Sequence, residues 1–259
     1  MNPSPYSPYA PPQHHQGPYG AGYVVEPYQP LGWKTTATIV CFAASIVLAF
    51  VQTGTSIAFG EVLKQPVPEN LGLIAMVGLV GLATSAVGIG GYVFFLMWLY
   101  QASKNLRSFG QHSLEYTPGW CVGWWFIPIA SLWKPFGAMR EIWRASDPET
   151  VGPRPTHAWH EAPVTSLLPL WWGIYVLNGF VTMAIALSSM DFSADAGVKA
   201  TVGPASFISN GLHGIAGIVL IMVMRQLATR QTAAAAKLTS AAYEAPPAGP
   251  AQPNPYATY

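Results

Sequence analysis

Four long runs without a charged residue constrain this chain more than any other feature. Residues 35–59, 71–100, 166–190 and 205–224 contain no Asp, Glu, Lys or Arg. Each run is long enough to supply the roughly 20 residues that a helix needs to cross about 30 Å of hydrocarbon. Only 9% of the chain is charged, whereas a soluble domain averages about 25%. The runs predict an all-α integral membrane protein with four transmembrane helices, at about 35–59, 71–100, 166–190 and 205–226.

The distribution of Lys and Arg predicts the orientation of these spans. If only the four runs cross, one side carries ten basic residues and the other carries only Lys64 and Lys199. The ten are Lys34, Lys104, Arg107, Lys134, Arg140, Arg144, Arg154, Arg225, Arg230 and Lys237. Because basic residues concentrate in cytoplasmic loops, the chain is expected in the cell (plasma or inner) membrane with both termini cytoplasmic.

The segment 118–133, PGWCVGWWFIPIASLW, is apolar but is predicted not to cross. Its length as a helix would be about 24 Å at 1.5 Å per residue, which is shorter than the hydrocarbon core. Pro128 would also remove a backbone hydrogen bond near its middle. Tryptophan favours the headgroup level. We therefore expect a re-entrant or interfacial aromatic segment on the cytoplasmic side.

An amphipathic helix is predicted to follow this segment, and with it completes an interfacial element at 118–147. At 100° per residue one arc carries Leu132, Phe136, Met139, Ile142 and Trp143, and the opposite arc carries Lys134, Arg140, Glu141 and Arg144. Such a helix suits an anionic leaflet, and packing against the protein's own helices would produce the same pattern. The predicted membrane anchors are Trp120, Trp124, Trp125, Trp133, Trp143, Lys134, Arg140 and Arg144.

Low-complexity tails flank the predicted membrane domain, which spans 32–230. Residues 1–31 are rich in proline and tyrosine, and residues 231–259 are rich first in alanine and then in proline. Proline at this density blocks regular hydrogen bonding. The tails are predicted to be disordered, except for a helical continuation of the last span into water. They offer a route to cytoplasmic protein partners.

Polar side chains within the runs form a second candidate site. Gln52, Asn178, Thr182, Asn210 and His213 fall at similar depths, at or slightly outward of the midplane of each run. Two interpretations stay open: a hydrogen-bonded layer that joins the helices, or the floor of an outward-facing cavity. His213 is the sharpest candidate, because an imidazole inside a membrane is a functional hypothesis by default. No Asp or Glu accompanies it in any run.

Two stretches carry a resemblance to a known family. They are FLMWLYQASKNLRSFG and TPGWCVGWWFIPIASLWKPFGAMREIWRAS, with prolines and tryptophans at fixed spacing. They resemble the bacterial membrane family catalogued as domain of unknown function 4328, and the four-span framework extends the likeness over about 35–230. The family commonly has Asn where Ser131 stands and Gln where Gly137 stands. The resemblance implies a multi-span membrane protein with no known activity.

No catalytic motif appears in the sequence. There is no phosphate-binding loop, nucleophile elbow or metal-ligand spacing, so we expect no enzyme activity, no cofactor and no metal. A net charge of +1 argues against a nucleic-acid partner, because no basic surface is available for phosphates. The leading hypothesis is a non-enzymatic membrane interaction or scaffold protein that uses the 118–147 element and the tails to contact lipid and cytoplasmic proteins. The alternative is a small transporter or channel built around His213.

Overall fold

The computed structural model describes residues 27–60, 62, 68–111, 113–152, 158–188 and 204–244, and these form helices and turns without a strand. Six α-helices follow one another: α1 (Gly32–Ala58), α2 (Leu71–Ser108), α3 (Pro118–Gly123), α4 (Lys134–Ala145), α5 (Leu167–Ser188) and α6 (Pro204–Glu244). Short 3-10 turns lie at Pro68–Asn70, Trp124–Phe126, Ala130–Leu132 and Ala158–Glu161. The tail predictions for 1–26 and 245–259, and the last two residues of the third predicted span, fall outside the described residues.

Four of these helices, α1, α2, α5 and α6, are long and apolar enough to cross a membrane. This confirms the predicted all-helical class with four helices of membrane-spanning length. At 1.5 Å per residue, α2 and α6 extend for about 57 and 62 Å, about twice the length that a span requires. Both helices therefore continue well beyond their apolar runs.

The long helices pack as neighbouring pairs. α1 lies against both α2 and α6, and α5 lies against α6. α1 approaches α2 closely at Gly91, where an added Cβ would stand 2.9 Å from the ring of Phe42 and 3.1 Å from the Cβ of Cys41. One turn further along α1, the side chain of Ile46 lies against Gly217 of α6. Small residues in apolar helices allow such close approach.

The hydrophobic core is concentrated at one end of the bundle. α1 begins there, α5 begins there, α2 ends there, and the second half of α6 passes through it. The buried cluster contains Leu31, residues from Phe95 to Phe109 of α2, residues of α4, Leu168 and Trp171 of α5, and residues of α6 as far as Ala234. Most basic residues of the described chain also lie on these segments. We call this region the basic end.

Two parts of the predicted tails belong to this core. Leu31 is almost completely buried, and so are Gln231 and Ala234. α6 runs unbroken to Glu244, so the domain boundary predicted at 230 falls inside a helix. The contacts of these residues, which no local pattern reveals, extend the folded unit in both directions.

The Gly91 contact gives a direct test of the α1–α2 interface. Gly91→Ala is expected to lower the free energy of unfolding by about 1–3 kcal/mol, because the new methyl group overpacks the interface. Gly90→Ala is the matched control, since nothing lies within 4 Å of its Cβ position. Thermal unfolding of both purified variants in detergent measures the difference. Equal melting temperatures would contradict the close approach.

Candidate functional site

A network of buried side-chain amides joins the elements of the basic end. Asn105 of α2 donates from Nδ2 to the side-chain Oε1 of Gln231 in α6, at 2.9 Å. Gln231 then donates from Nε2 to the backbone oxygen of Ala102 at 2.9 Å and to Oγ of Ser146 at 3.0 Å. Gln101 donates to Oδ1 of Asn105 at 2.9 Å. The network connects α2, α6 and the end of α4.

The same Asn105 holds the chain that leads into α1. Its Oδ1 accepts from the backbone N–H of Gln29 at 3.2 Å, and its Nδ2 donates to the backbone oxygen of Gln29 at 2.9 Å. One carboxamide thus pairs with both polar groups of one residue, as a neighbouring strand would. Tyr28 stacks on Phe109 with ring centroids 5.7 Å apart, and its hydroxyl lies 3.3 Å from Oγ1 of Thr232.

The turn after α2 makes room for this arrangement. Gly110 has a φ of +71°, a left-handed conformation that a residue with a Cβ rarely adopts. The backbone N–H of Gln111 closes the turn on the oxygen of Leu106 at 3.1 Å. Gln111 then donates from its side chain to the backbone oxygen of Ala145 at 3.2 Å, which adds a second link between the ends of α2 and α4.

Glu141 of α4 is a buried carboxylate that fixes the start of the 118–147 element. Its two oxygens accept from the backbone N–H groups of Glu115 at 2.6 Å and Tyr116 at 3.2 Å. Burial raises the pKa of Glu141, and these two hydrogen bonds oppose that shift. On the predicted helical wheel Glu141 belonged to the solvated charged arc. In the structure it points into the protein, because two otherwise unpaired N–H groups require an acceptor there.

The ring of Tyr116 packs closely against Gly137, beside the carboxylate of Glu141. A Cβ on Gly137 would stand 2.5 Å from the Tyr116 hydroxyl oxygen, so the ring occupies the space that a side chain would fill. Burial, together with a hydrogen bond to Glu115, raises the pKa of Tyr116 to about 12. A cleft of about 120 Å³ lies here, and its lining includes Glu115, Arg140, Glu141, Arg144 and His160.

Charged contacts fasten the end of α4 to α6. Nη2 of Arg230 lies 3.0 Å from a carboxylate oxygen of Asp147, and its guanidinium lies 4.8 Å from the centroid of the Trp143 ring. One helical turn further on than the core, Lys237 donates from Nζ to the backbone oxygen of Pro148 at 2.7 Å. The extension of α6 is therefore attached to the protein at least as far as Lys237.

The segment 118–133 leaves the basic end and returns to it. Thr117 caps α3 by accepting from the backbone N–H of Trp120 at 3.3 Å. At the other end of the segment, Nζ of Lys134 lies 3.3 Å from a carboxylate oxygen of Glu115. The hydroxyl of Ser131 donates to the backbone oxygen of Pro128 at 2.7 Å and tightens the turn between them. Both ends of the segment thus lie at the same end of the bundle.

Trp125 anchors this returning segment between α2 and α5. Its ring centroid lies 5.3 Å from that of Phe95 in α2 and 5.7 Å from that of Tyr175 in α5. Tyr92, Trp171 and Trp172 surround it at 6.0–6.4 Å. We call the buried ring of Trp125 the wedge. The residues that follow it are strongly exposed. The exposed side chains include Phe126 (66%), Ile129 (70%), Trp133 (53%), Ile127 and Leu132.

The predicted membrane anchors differ in how far the structure exposes them. Trp125 and Trp143 are buried in the protein, so their rings contact other protein side chains. Trp120, Trp133 and Arg140 are exposed, while Trp124, Lys134 and Arg144 are partly buried. The ring centroids of Trp120 and Trp124 lie 4.7 Å apart with the rings tilted, and Nζ of Lys134 lies 5.6 Å from the Trp124 ring centroid. Met139 and Ile142 of α4 are completely buried, so this side of the helix packs on the protein.

The predicted polar layer is divided into separate contacts between neighbouring helices. Asn210 of α6 donates to Oγ1 of Thr53 in α1 at 2.6 Å. Asn178 of α5 accepts from Ser209 of α6 at 3.0 Å, and Thr182 lies 3.1 Å from the same hydroxyl. Gln52 lies beside Gly81 of α2. His213 is exposed, and the structure does not join these five residues into one site.

Cys121 is a buried free cysteine of the basic end. Cys121 donates to Oγ of Ser103 at 3.3 Å, and burial raises its pKa to about 11, so its thiol stays protonated near neutral pH and is a poor nucleophile. Among the described residues, no group of three or more His, Cys, Asp or Glu side chains could hold a metal ion. The amides of Asn105 and Gln231 are hydrogen-bonded within their network.

These features define a class: an all-helical protein with four helices of membrane-spanning length and composition, which meet in a densely packed, polar-bonded end. The chain belongs to the family described as Domain of unknown function (DUF4328), whose model matches residues 72–229. This confirms the predicted resemblance, although the match begins at α2 and not near residue 35. No curated protein and no solved structure matches the chain significantly.

Replacing Gln231 tests whether the amide network holds the basic end together. Gln231→Ala is expected to lower the free energy of unfolding by at least about 1–3 kcal/mol, because Asn105 and Ser146 lose buried partners. Gln226→Ala, an exposed glutamine on the same helix, is the matched control and is expected to unfold like the unchanged protein. Thermal unfolding in detergent compares the three proteins. Similar stabilities of the two variants would contradict a structural role for the network.

Glu141 predicts a specific pH dependence of stability. The pKa of Glu141 in the folded protein is raised above the ordinary value of 4.5. Its contribution to the free energy of unfolding is therefore fully present below pH 4.5 and is lost as pH rises through the raised pKa. The melting temperature of Glu141→Gln is therefore expected to respond less to acidification from pH 7 to 5 than that of the unchanged protein. Glu149→Gln removes an exposed carboxylate and should retain the full response. Parallel curves for all three would contradict the assignment.

Proposed function

We propose that this chain is a non-enzymatic membrane interaction protein. It inserts residues 126–133, which we call the tip of the 118–147 element, into the cytoplasmic leaflet. The four apolar helices cross the cell membrane with both termini in the cytoplasm. The basic end then lies at the cytoplasmic surface, where it is available to cytoplasmic partners. Excess Lys and Arg on this side supports the orientation, because cytoplasmic loops retain positive charge.

The observation that carries this proposal is the exposed apolar tip held by a buried anchor. Phe126, Ile129 and Trp133 expose more than half of their surfaces, yet Trp125 in the same turn is buried between α2 and α5. A loop exposed to water gains nothing by presenting these side chains together. Next to two apolar helices, the same side chains are solvated by acyl chains at little cost. The wedge fixes how far the segment can move from the bundle.

Charge at the base of the tip supports the same placement. Nζ of Lys134 lies close to both Tyr116 and Trp124, at the point where the segment returns to the basic end. The guanidinium of the exposed Arg140 lies 5.9 Å from the Phe136 ring centroid, on the outer side of α4. Aromatic rings beneath cations are typical of the headgroup region, where the rings are buried and the charges contact anionic lipid.

The alternative hypothesis of a transporter or channel has no specific observation in its favour. Asn178, Thr182 and Asn210 contact hydroxyl groups on neighbouring helices, which is how polar side chains hold apolar helices together. A transport role for His213 stays a prediction from sequence. The interaction role rests instead on the exposed tip and the charges at its base.

Depth-dependent fluorescence quenching tests the proposal. Cys41 and Cys121 are replaced by Ser, Phe126 is replaced by Cys, and the new thiol is labelled with an environment-sensitive fluorophore in liposomes. Quenching is expected from lipids with a nitroxide on the acyl chain and not from a water-soluble quencher. The same label at Glu149, which is exposed at the basic end, should show the reverse. If both labels respond to the aqueous quencher alone, the tip is not inserted.

A further inference from the structure

The segment leading into α1 lies in a groove that selects a short sequence pattern. Asn105 recognises only the backbone of Gln29, through one accepted and one donated hydrogen bond. Tyr28 is recognised by its side chain, through the ring of Phe109 and the hydroxyl of Thr232. The residue after the tyrosine is therefore unrestricted in its side chain but must be extended.

The prolines on either side supply that extended conformation. A residue that precedes proline is disfavoured in the helical region and favours an extended backbone, so Pro30 favours the conformation in which Gln29 presents both its N–H and its C=O to Asn105. Pro27 fixes its own φ before the tyrosine. The pattern that fits the groove is Pro-Tyr-x-Pro, where x is any residue.

The same pattern occurs twice more in this chain. Residues 5–8 are Pro-Tyr-Ser-Pro, residues 8–11 are Pro-Tyr-Ala-Pro, and residues 27–30 are Pro-Tyr-Gln-Pro. Two other Pro-Tyr pairs, at 18–19 and 255–256, lack the second proline. The chain thus contains both the groove and three segments that match its recognition pattern.

We propose that the groove formed by Asn105, Phe109 and Thr232 is a binding site for Pro-Tyr-x-Pro segments, and that residues 5–8 of the same chain replace residues 27–30 when these leave. The eighteen residues between Pro8 and Pro27 span up to about 60 Å when extended, which is enough to return to the groove. Covalent attachment favours the chain's own segment over that of a second copy, because it raises the effective concentration. Residues 27–30 occupy the groove in preference to residues 5–8, because the adjacent Leu31 is buried in the core.

Site-specific photocrosslinking in the full chain tests this exchange. Tyr6 is replaced by p-benzoylphenylalanine in a Tyr28→Ala background, which weakens the resident segment, and membranes containing two differently tagged copies are irradiated. We expect crosslinks within one chain to peptides that contain Phe109 or Thr232, and several-fold fewer of them when Tyr28 is retained. The probe at position 19, where the second proline is missing, is the matched control. The probe at position 28 itself marks the groove and reports that the protein is folded.

The outcomes are distinct. Loss of the Tyr6 crosslink in Pro8→Ala, with retention in Pro18→Ala, would support recognition of the pattern. Equal crosslinking from positions 6 and 19 would show non-specific contact and overturn the proposal. So would the absence of a crosslink from position 6 while position 28 still reacts with the groove in an otherwise unchanged chain. Crosslinks only between differently tagged copies would overturn the assignment to the same chain.

Discussion

The hydrogen bond between the carboxamides of Asn105 and Gln231 is the constraint on which the basic end depends. Both side chains are completely buried, and each also binds backbone groups or side chains of other elements. An unpaired amide here would cost about 1–3 kcal/mol. The arrangement is therefore satisfied only when α2, α6, the end of α4 and residue 29 are all in place. Apolar packing alone tolerates small shifts, but this set of bonds does not.

The returning segment follows from a second constraint, which is imposed by Trp125. Its ring fills the space between α2 and α5, while Glu141 holds the backbone just before α3. Because Trp125 and Glu141 are both fixed against the bundle, the chain between these two residues has to turn back. Pro128 and Ser131 form that turn, and the residues around them face outward. The exposed tip is thus a consequence of two buried contacts, and its direction is set by the core.

The sequence predicts those features that depend on local composition. Uncharged runs and proline positions indicated the four long helices and the short 118–133 segment, because length and charge are properties of the segment itself. The buried roles of Asn105, Gln231 and Glu141 could not be predicted, since each depends on partners far along the chain. Gln231 lies in an alanine-rich stretch that is typical of a solvated helix. The helical wheel placed Glu141 outside because it records the direction of a side chain but not the backbone groups that meet it.

The uneven distribution of the core has a physical explanation in the proposed membrane setting. Acyl chains are as apolar as leucine, so helices surrounded by them gain little from burying apolar faces against one another. Away from the basic end, α1, α2, α5 and α6 are joined by small residues and single polar contacts, such as that between Thr53 and Asn210. Where the helices leave the hydrocarbon, water restores the hydrophobic effect, and dense packing becomes favourable. The specificity of the fold is therefore concentrated at the basic end, where the groove, the buried carboxylate and the wedge also lie.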